Sequence, residues 1–327
     1  MHPEALRVPR ALAVPLALFC GVGVAVQSRI NGEFAQELGS GTVAALVSFG
    51  SGLVVLVIVV ALAPSARRGM ARLLSGLRGG TFQWYFLGGG LVGGLFVLSQ
   101  GLVVGVLGIA LFLIAVVAGQ TLGSTLIDRR GIGTMAPRPI TWNRVVGAAL
   151  ALVAVAVAVS SQLRTDAVLW GLVLPFLTGA FMVYQQGANG QVREYTGSVL
   201  IATFNNFIVG TALLAIIAVV WSFTAGWPSE WPSNPGLYTG GVVGIVFIAI
   251  GALVVTSIGT LLLGLCTIAG ELVASVMLDL LVPVAGHNLT VTAVIGAGIA
   301  LVAVVIATVR MRPRRDPERR ARSRRAR

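Results

Sequence analysis

Glu271 stands in the middle of an apolar run from Ile258 to Leu281, and the nearest other charged residue is Asp279. A carboxyl group at the centre of a membrane helix costs roughly 2.5–3.5 kcal/mol on insertion scales, so it must face protein or a wet cavity. Two roles fit such a group: partner to the amine of a transported solute, or a site that takes up and releases a proton. A neutral glutamic acid hydrogen-bonded between helices is the structural alternative. Gln120 occupies a matching triplet, Ala118-Gly119-Gln120 against Ala269-Gly270-Glu271, with a serine four and an aspartate eight residues further on in each. Asn205 and Asn206 fall early in another apolar run. These amides are candidate lining for a polar cavity; interhelical hydrogen bonds, worth on average about 0.6 kcal/mol each in membranes, are the plainer reading.

A second set is defined by spacing. Gln27-x-x-x-Asn31-Gly32 recurs as Gln185-x-x-x-Asn189-Gly190. Asparagine and glycine suit a turn that ends a helix, which predicts gate or hinge positions at two helix exits. Asp128, beside Arg129 and Arg130, and Asp279 read as helix-end charges. Nothing resembles a catalytic centre: the histidines His2 and His287 are isolated, no carboxylates pair, and there is no H-E-x-x-H or Walker sequence. No cofactor or metal is expected, and the chain alone cannot hydrolyse ATP. Cys20 and Cys266, both inside apolar runs, read as small packing residues.

The elements that must hold these residues follow from composition. Of 327 residues, 56% are hydrophobic and 10% charged, where soluble domains carry about 25% charged. The apolar residues fall into runs of about 20, the length that crosses roughly 30 Å of hydrocarbon. Hydropathy and turn signals predict an all-α polytopic membrane protein with ten transmembrane helices near 11–30, 43–63, 82–103, 106–127, 144–162, 167–187, 198–222, 237–256, 258–281 and 289–309. Pro15 and Pro175 are expected kinks.

The net charge of +12 comes entirely from arginine, 23 residues against 11 acidic ones. With ten crossings, 21 arginines fall on one side and only Arg29 and Arg164 on the other. Both termini are therefore expected in the cytoplasm. Charge placed this way reads as topology, not as nucleic-acid binding. The arginine-rich tail, 310–327, reads as a cytoplasmic arm able to meet anionic lipid headgroups. Ser65 to Gly80 has Met70, Leu73, Leu74 and Leu77 on one helical face and arginines on the other, the pattern of an interfacial helix.

The chain also repeats itself. Gln27, Asn31, Gly32, Gly39, Ser40, Phe49 and Gly52 match Gln185, Asn189, Gly190, Gly197, Ser198, Phe207 and Gly210 at an offset of 158. Gly89, Gly93, Gly108, Gly119, Ser124 and Asp128 match Gly240, Gly244, Gly259, Gly270, Ser275 and Asp279 at an offset of 151. The expected units are a first five-helix repeat over 1–163 and a second over 164–309. Five is odd, so the second enters the membrane from the opposite side, and rocking of inverted halves would expose a midplane site alternately. Gly-x-x-x-Gly spacings at 89/93, 90/94 and 240/244 predict close helix packing.

With these motifs the chain resembles the drug/metabolite transporter superfamily, in particular its YdcZ-like branch. The resemblance rests on Gln27-x-x-x-Asn31-Gly32 with Gly39-Ser40, on Ala118-Gly119-Gln120 running to Asp128-Arg129-Arg130-Gly131, and on their echoes. It implies an EamA-like fold with a central cavity between halves. Members that look like one half would have to dimerise, so this fused chain fits a monomer or a homodimer. The expected function is secondary transport of a small metabolite or drug-like solute, with proton-coupled export as the leading form. A lipid flippase-like or structural membrane protein is the rival, and an intramembrane enzyme the weaker one.

Overall fold

The computed structural model describes residues 8–130, 141–160, 166–282 and 289–308. Its α-helices are α1 (Arg10–Leu38), α2 (Gly41–Leu62), α3 (Pro64–Arg78), α4 (Gly89–Leu107), α5 (Ile109–Arg130), α6 (Trp142–Val159), α7 (Asp166–Thr196), α8 (Val199–Ala225), α9 (Gly240–Leu281) and α10 (Val291–Thr308). Short 3-10 turns, Trp84–Gly88 and Pro235–Thr239, lead into α4 and α9. No strand occurs among the described residues. Five stretches are long and apolar enough to cross a membrane, and four shorter apolar helices accompany them. Hydrocarbon offers no water to satisfy backbone groups, so helix is the form such runs must take. Helix α5 is the centre of the core: each residue from Ile109 to Ala118 is at most 2% exposed.

Helix α9 differs from the expected split near residue 257. It is helical without interruption over Gly240–Leu281, which would reach about 63 Å if straight. Yet a Cβ at Gly251 would lie 3.8 Å from Cys20 Sγ, and one at Gly21 would lie 2.5 Å from Glu271 N. Adjacent residues of α1 thus touch points on α9 that a straight helix would hold about 30 Å apart. The chain therefore turns back between Gly251 and Thr267, and α9 comprises two arms that lie on the same stretch of α1. With α3 set aside and α9 counted as two arms, the helical segments number ten among the described residues.

One further expectation is corrected. The Asn-Gly pairs do not end helices: Asn31-Gly32 lies inside α1 and Asn189-Gly190 inside α7. Both helices run on to Gly39 and Gly197, at φ of 69° and 68°. There the left-handed conformation favours glycine, and Ser40 and Ser198 cap the next helices by accepting from Val43 N and Ile201 N. A backbone that stays helical keeps its hydrogen bonds until it leaves the apolar zone. Helix α3 packs part of its apolar face on protein. Ala66, Gly69, Leu73 and Gly76 are buried against the junction of α7 and α8, where Thr196, Ser198 and Ile201 meet Gly69 and Tyr195 meets Gly76. Leu74 is left 46% exposed. Glycines at 69 and 76 let a protein surface approach closer than lipid would need.

Contacts recur with the repeated segments exchanged. Phe49 and Phe207 stack on each other at 4.7 Å with 22° between their planes, with Gly52 against Phe207 and Gly210 against Phe49. Gly119 meets the carbonyl of Phe176, and Gly270 that of Leu18. At the periphery Asn143 donates to Ile306 O at 3.2 Å and Thr292 to Ala158 O at 3.3 Å. Helix α2 runs from the Gly39 turn to α3, and α3 sits on the Gly197 turn, so the two turns mark opposite ends of the molecule.

Candidate functional site

The repeated amides face glycines across helix boundaries. Gln27 of α1 donates Nε2 to Gly240 O at 2.8 Å, while Asn31 Oδ1 lies against Gly240 and Gln27 against Gly244. In the exchanged arrangement, a Cβ at Gly89 would lie 3.2 Å from Asn189 Oδ1. One at Gly93 would lie 2.7 Å from both Gln185 Nε2 and Asn206 Oδ1. A side chain at Gly240, Gly244 or Gly93 would collide with an amide, and one at Gly89 would make a tight contact with one. The Gly-x-x-x-Gly spacing thus admits polar groups as well as close backbones, which extends the packing reading made from sequence.

The two clusters are not equally satisfied. At the Gly39 end Asn31 donates Nδ2 to Gln100 Oε1 at 2.6 Å, Gln100 donates Nε2 to Ser28 Oγ at 2.9 Å, and Ser28 donates to Val24 O at 2.8 Å. Gln27, Asn31 and Gln100 are buried. Gln100 and Ser28 are not among the residues singled out by spacing; a lone glutamine deep in the apolar run 91–107 is the signal that the sequence offers for them. At the Gly197 end Gln185 and Asn189 are half-buried and Gly190 is exposed. The side-chain oxygens of Asn189 and Asn206 have no hydrogen-bond partner among the described residues, nor do Asn31 Oδ1 and Ser48 Oγ at the other end.

Glu271 lies in the second arm of α9, 2% exposed, with Oε1 unpartnered. Its backbone packs on Gly21 of α1. Gln120, half-buried on α5, donates Nε2 to Met182 Sδ at 3.3 Å, a weak acceptor. Among the described residues no hydrogen bond joins Glu271, Gln120 and Asn206 to one another. Asn205 turns away from Asn206 and donates to Leu87 O at 3.2 Å, tying α8 to the turn before α4.

Asp279 is a helix cap supplied from another element. Its carboxylate accepts from Ile109 N at 3.2 Å and Ala110 N at 2.7 Å, the first free amides of α5 after the break at Gly108, whose φ is 76°. An acid at a helix N-terminus satisfies orphan donors and complements the helix dipole. The side chain of Asp128, like the arginine tail and both histidines, lies outside the described residues. Among the described residues no group of three His, Cys, Asp or Glu side chains is placed to hold a metal.

The family model described as "Putative inner membrane exporter, YdcZ" matches residues 12–157 and 170–306. The chain belongs to this family. As a YdcZ family member with this helix set it is a multi-pass inner-membrane protein. No curated protein and no solved structure matches it. The two matched stretches begin within α1 and α7, the helices that carry the repeated amides.

Proposed function

We propose that the chain is an exporter that carries a small amine-bearing or cationic solute out of the cytoplasm by alternating access, driven by proton exchange at Glu271. The observation that carries this reading is Glu271 itself, a carboxyl group 2% exposed in an apolar helix with one oxygen unpartnered. A permanent structural role would pair both oxygens, because an unsatisfied buried polar group is costly. A group that alternately holds a proton and a cation needs a free oxygen. The unpaired acceptors of Asn189 and Asn206 are further partners for a solute rich in N–H donors.

Both termini are cytoplasmic in this reading, from the 21 arginines on one side. Of the two on the other, Arg29 pairs with Glu33 at 3.3 Å and adds no net charge there. The Gly197 end then faces the cytoplasm and the Gly39 end the opposite side. Proteoliposomes tested with a panel of cationic drugs and amine metabolites should show proton-coupled flux that Glu271→Gln abolishes while folding is intact. Flux unchanged in Glu271→Gln would reduce the residue to packing, and no flux for any solute would sink the exporter reading.

A further inference from the structure

The same helices meet differently at the two ends. At the Gly39 end a seam joins α1 to α4. Asn31 and Ser28 hold Gln100. A Cβ at Gly32 would lie 2.5 Å from Val104 Cγ1. Gln36 donates to Gly105 O at 3.2 Å. Gly41, at the start of α2, packs against Gly101. The seam therefore runs from Gln100 in the interior to the end of α4.

Carried over by the two offsets, the matching seam would join α7 to the first arm of α9. No comparable packing of α7 on α9 exists among the described residues. Gly190, the match of Gly32, has nothing within 4 Å of a Cβ, and Gln186, the match of Ser28, is exposed. The residue matching Gln100 is Gly251, which has no side chain with which to bridge and whose one neighbour is Cys20 of α1.

We infer that Gln100 is the gate residue of this transporter: its bonds to Asn31 and Ser28 latch the Gly39 end shut, and the unlatched Gly197 end is the way in for solute. The latch is unique to one repeat, so the resting protein favours the state closed at the Gly39 end. Under the export reading that end faces away from the cytoplasm, and the resting state is the one that loads from inside. Opening requires α1 to part from α4, and Asn31 then exchanges Gln100 for another partner or for water. A buried amide bridging two helices can be broken and remade without leaving a charge stranded in hydrocarbon, which suits a gate.

Distances between paired spin labels on the full-length chain in liposomes test this, with Cys20 and Cys266 replaced by alanine. Labels at Glu37→Cys and Leu102→Cys report on the seam. Labels at Gln186→Cys and Leu253→Cys report on its counterpart. The native sequence should give a short, narrow distance for the first pair and a longer, broader one for the second. Gln100→Ala removes two interhelical hydrogen bonds and should raise the long-distance population of the first pair roughly eightfold, with Ser28→Ala producing a smaller rise in the same direction. A seam pair already long in the native chain, or one unmoved by both substitutions, would overturn the latch. Because no solute is needed, failure of the transport panel leaves this result standing. Sidedness is read separately, by impermeant labelling of Glu37→Cys, and labelling from the cytoplasmic side would reverse the direction of export without touching the latch.

Discussion

The Gly39 and Gly197 ends carry nearly the same residues at matching positions and use them in different ways. At the Gly39 end the polar side chains are spent on holding α1, α4 and α9 together. At the Gly197 end Gln185, Asn189 and Asn206 surround the matching glycine stripe, and the side-chain oxygens of Asn189 and Asn206 have no hydrogen-bond partner among the described residues. A clamp from the first half compensates there. Tyr184 donates to Tyr85 O at 2.5 Å, Thr81 and Tyr195 share a hydrogen bond of 2.7 Å, and Arg72 donates to Thr196 O at 3.4 Å. These tie α7 to α3 and to the turn before α4, away from α9. Near-symmetry of sequence leaves the choice of state to the few positions where the repeats differ, and Gln100 against Gly251 is one of them.

The sharpest way to break this comparison is to fill the matched glycines. Gly32→Leu drives a side chain into Val104 across the seam, and overpacking of this kind costs about 1–3 kcal/mol. Gly190→Leu enters open space and should leave stability within about 0.5 kcal/mol. Thermal unfolding of both variants in the same detergent measures the difference. Equal losses at the two sites would mean that the α7 side is as tightly packed as the α1 side, and the contrast between the ends would fall.

Much of this was legible in sequence, for reasons tied to particular residues. Runs of apolar residues set the crossings, and the offsets of 158 and 151 already paired Phe49 with Phe207, which turn out to stack on each other. The unit boundaries at 163 and 309 fall where nothing in the structure bears on them. What stayed hidden was tertiary. Asn31-Gly32 reads locally as a turn, yet α1 continues because Asn31 finds Gln100 across the interface. Helix α3 reads as amphipathic, and only the position of the α7–α8 junction decides whether its apolar face meets lipid or protein. Glu271, Gln120 and Asn206 share a polarity pattern, but no periodicity could say whether their helices turn them toward one point.

Asp279 offers a second, smaller test at the Gly39 end. Asp279→Ala leaves Ile109 N and Ala110 N without acceptors and should cost about 1 kcal/mol, the usual worth of an N-cap. Asp279→Asn keeps one acceptor oxygen and should lose less. Unfolding of the two variants side by side separates the cap from the charge. Equal losses would assign the whole effect to the interaction of the negative charge with the start of α5.

The smallest effect belongs to the clamp at the other end. Arg72 is exposed, its bond to Thr196 O is long at 3.4 Å, and a positive group beside the last carbonyls of a helix gains only a few tenths of a kcal/mol when solvated. Arg72→Gln should therefore shift stability by no more than about 0.5 kcal/mol, and raising the ionic strength should shrink the difference further. The buried glycines of α3, not its arginines, then hold it on α7. A loss well above 1 kcal/mol, abolished by salt, would show instead that the Gly197 end is held by charge. The contrast between a hydrogen-bonded seam at one end and a packed clamp at the other would then have to be redrawn as amide against ion.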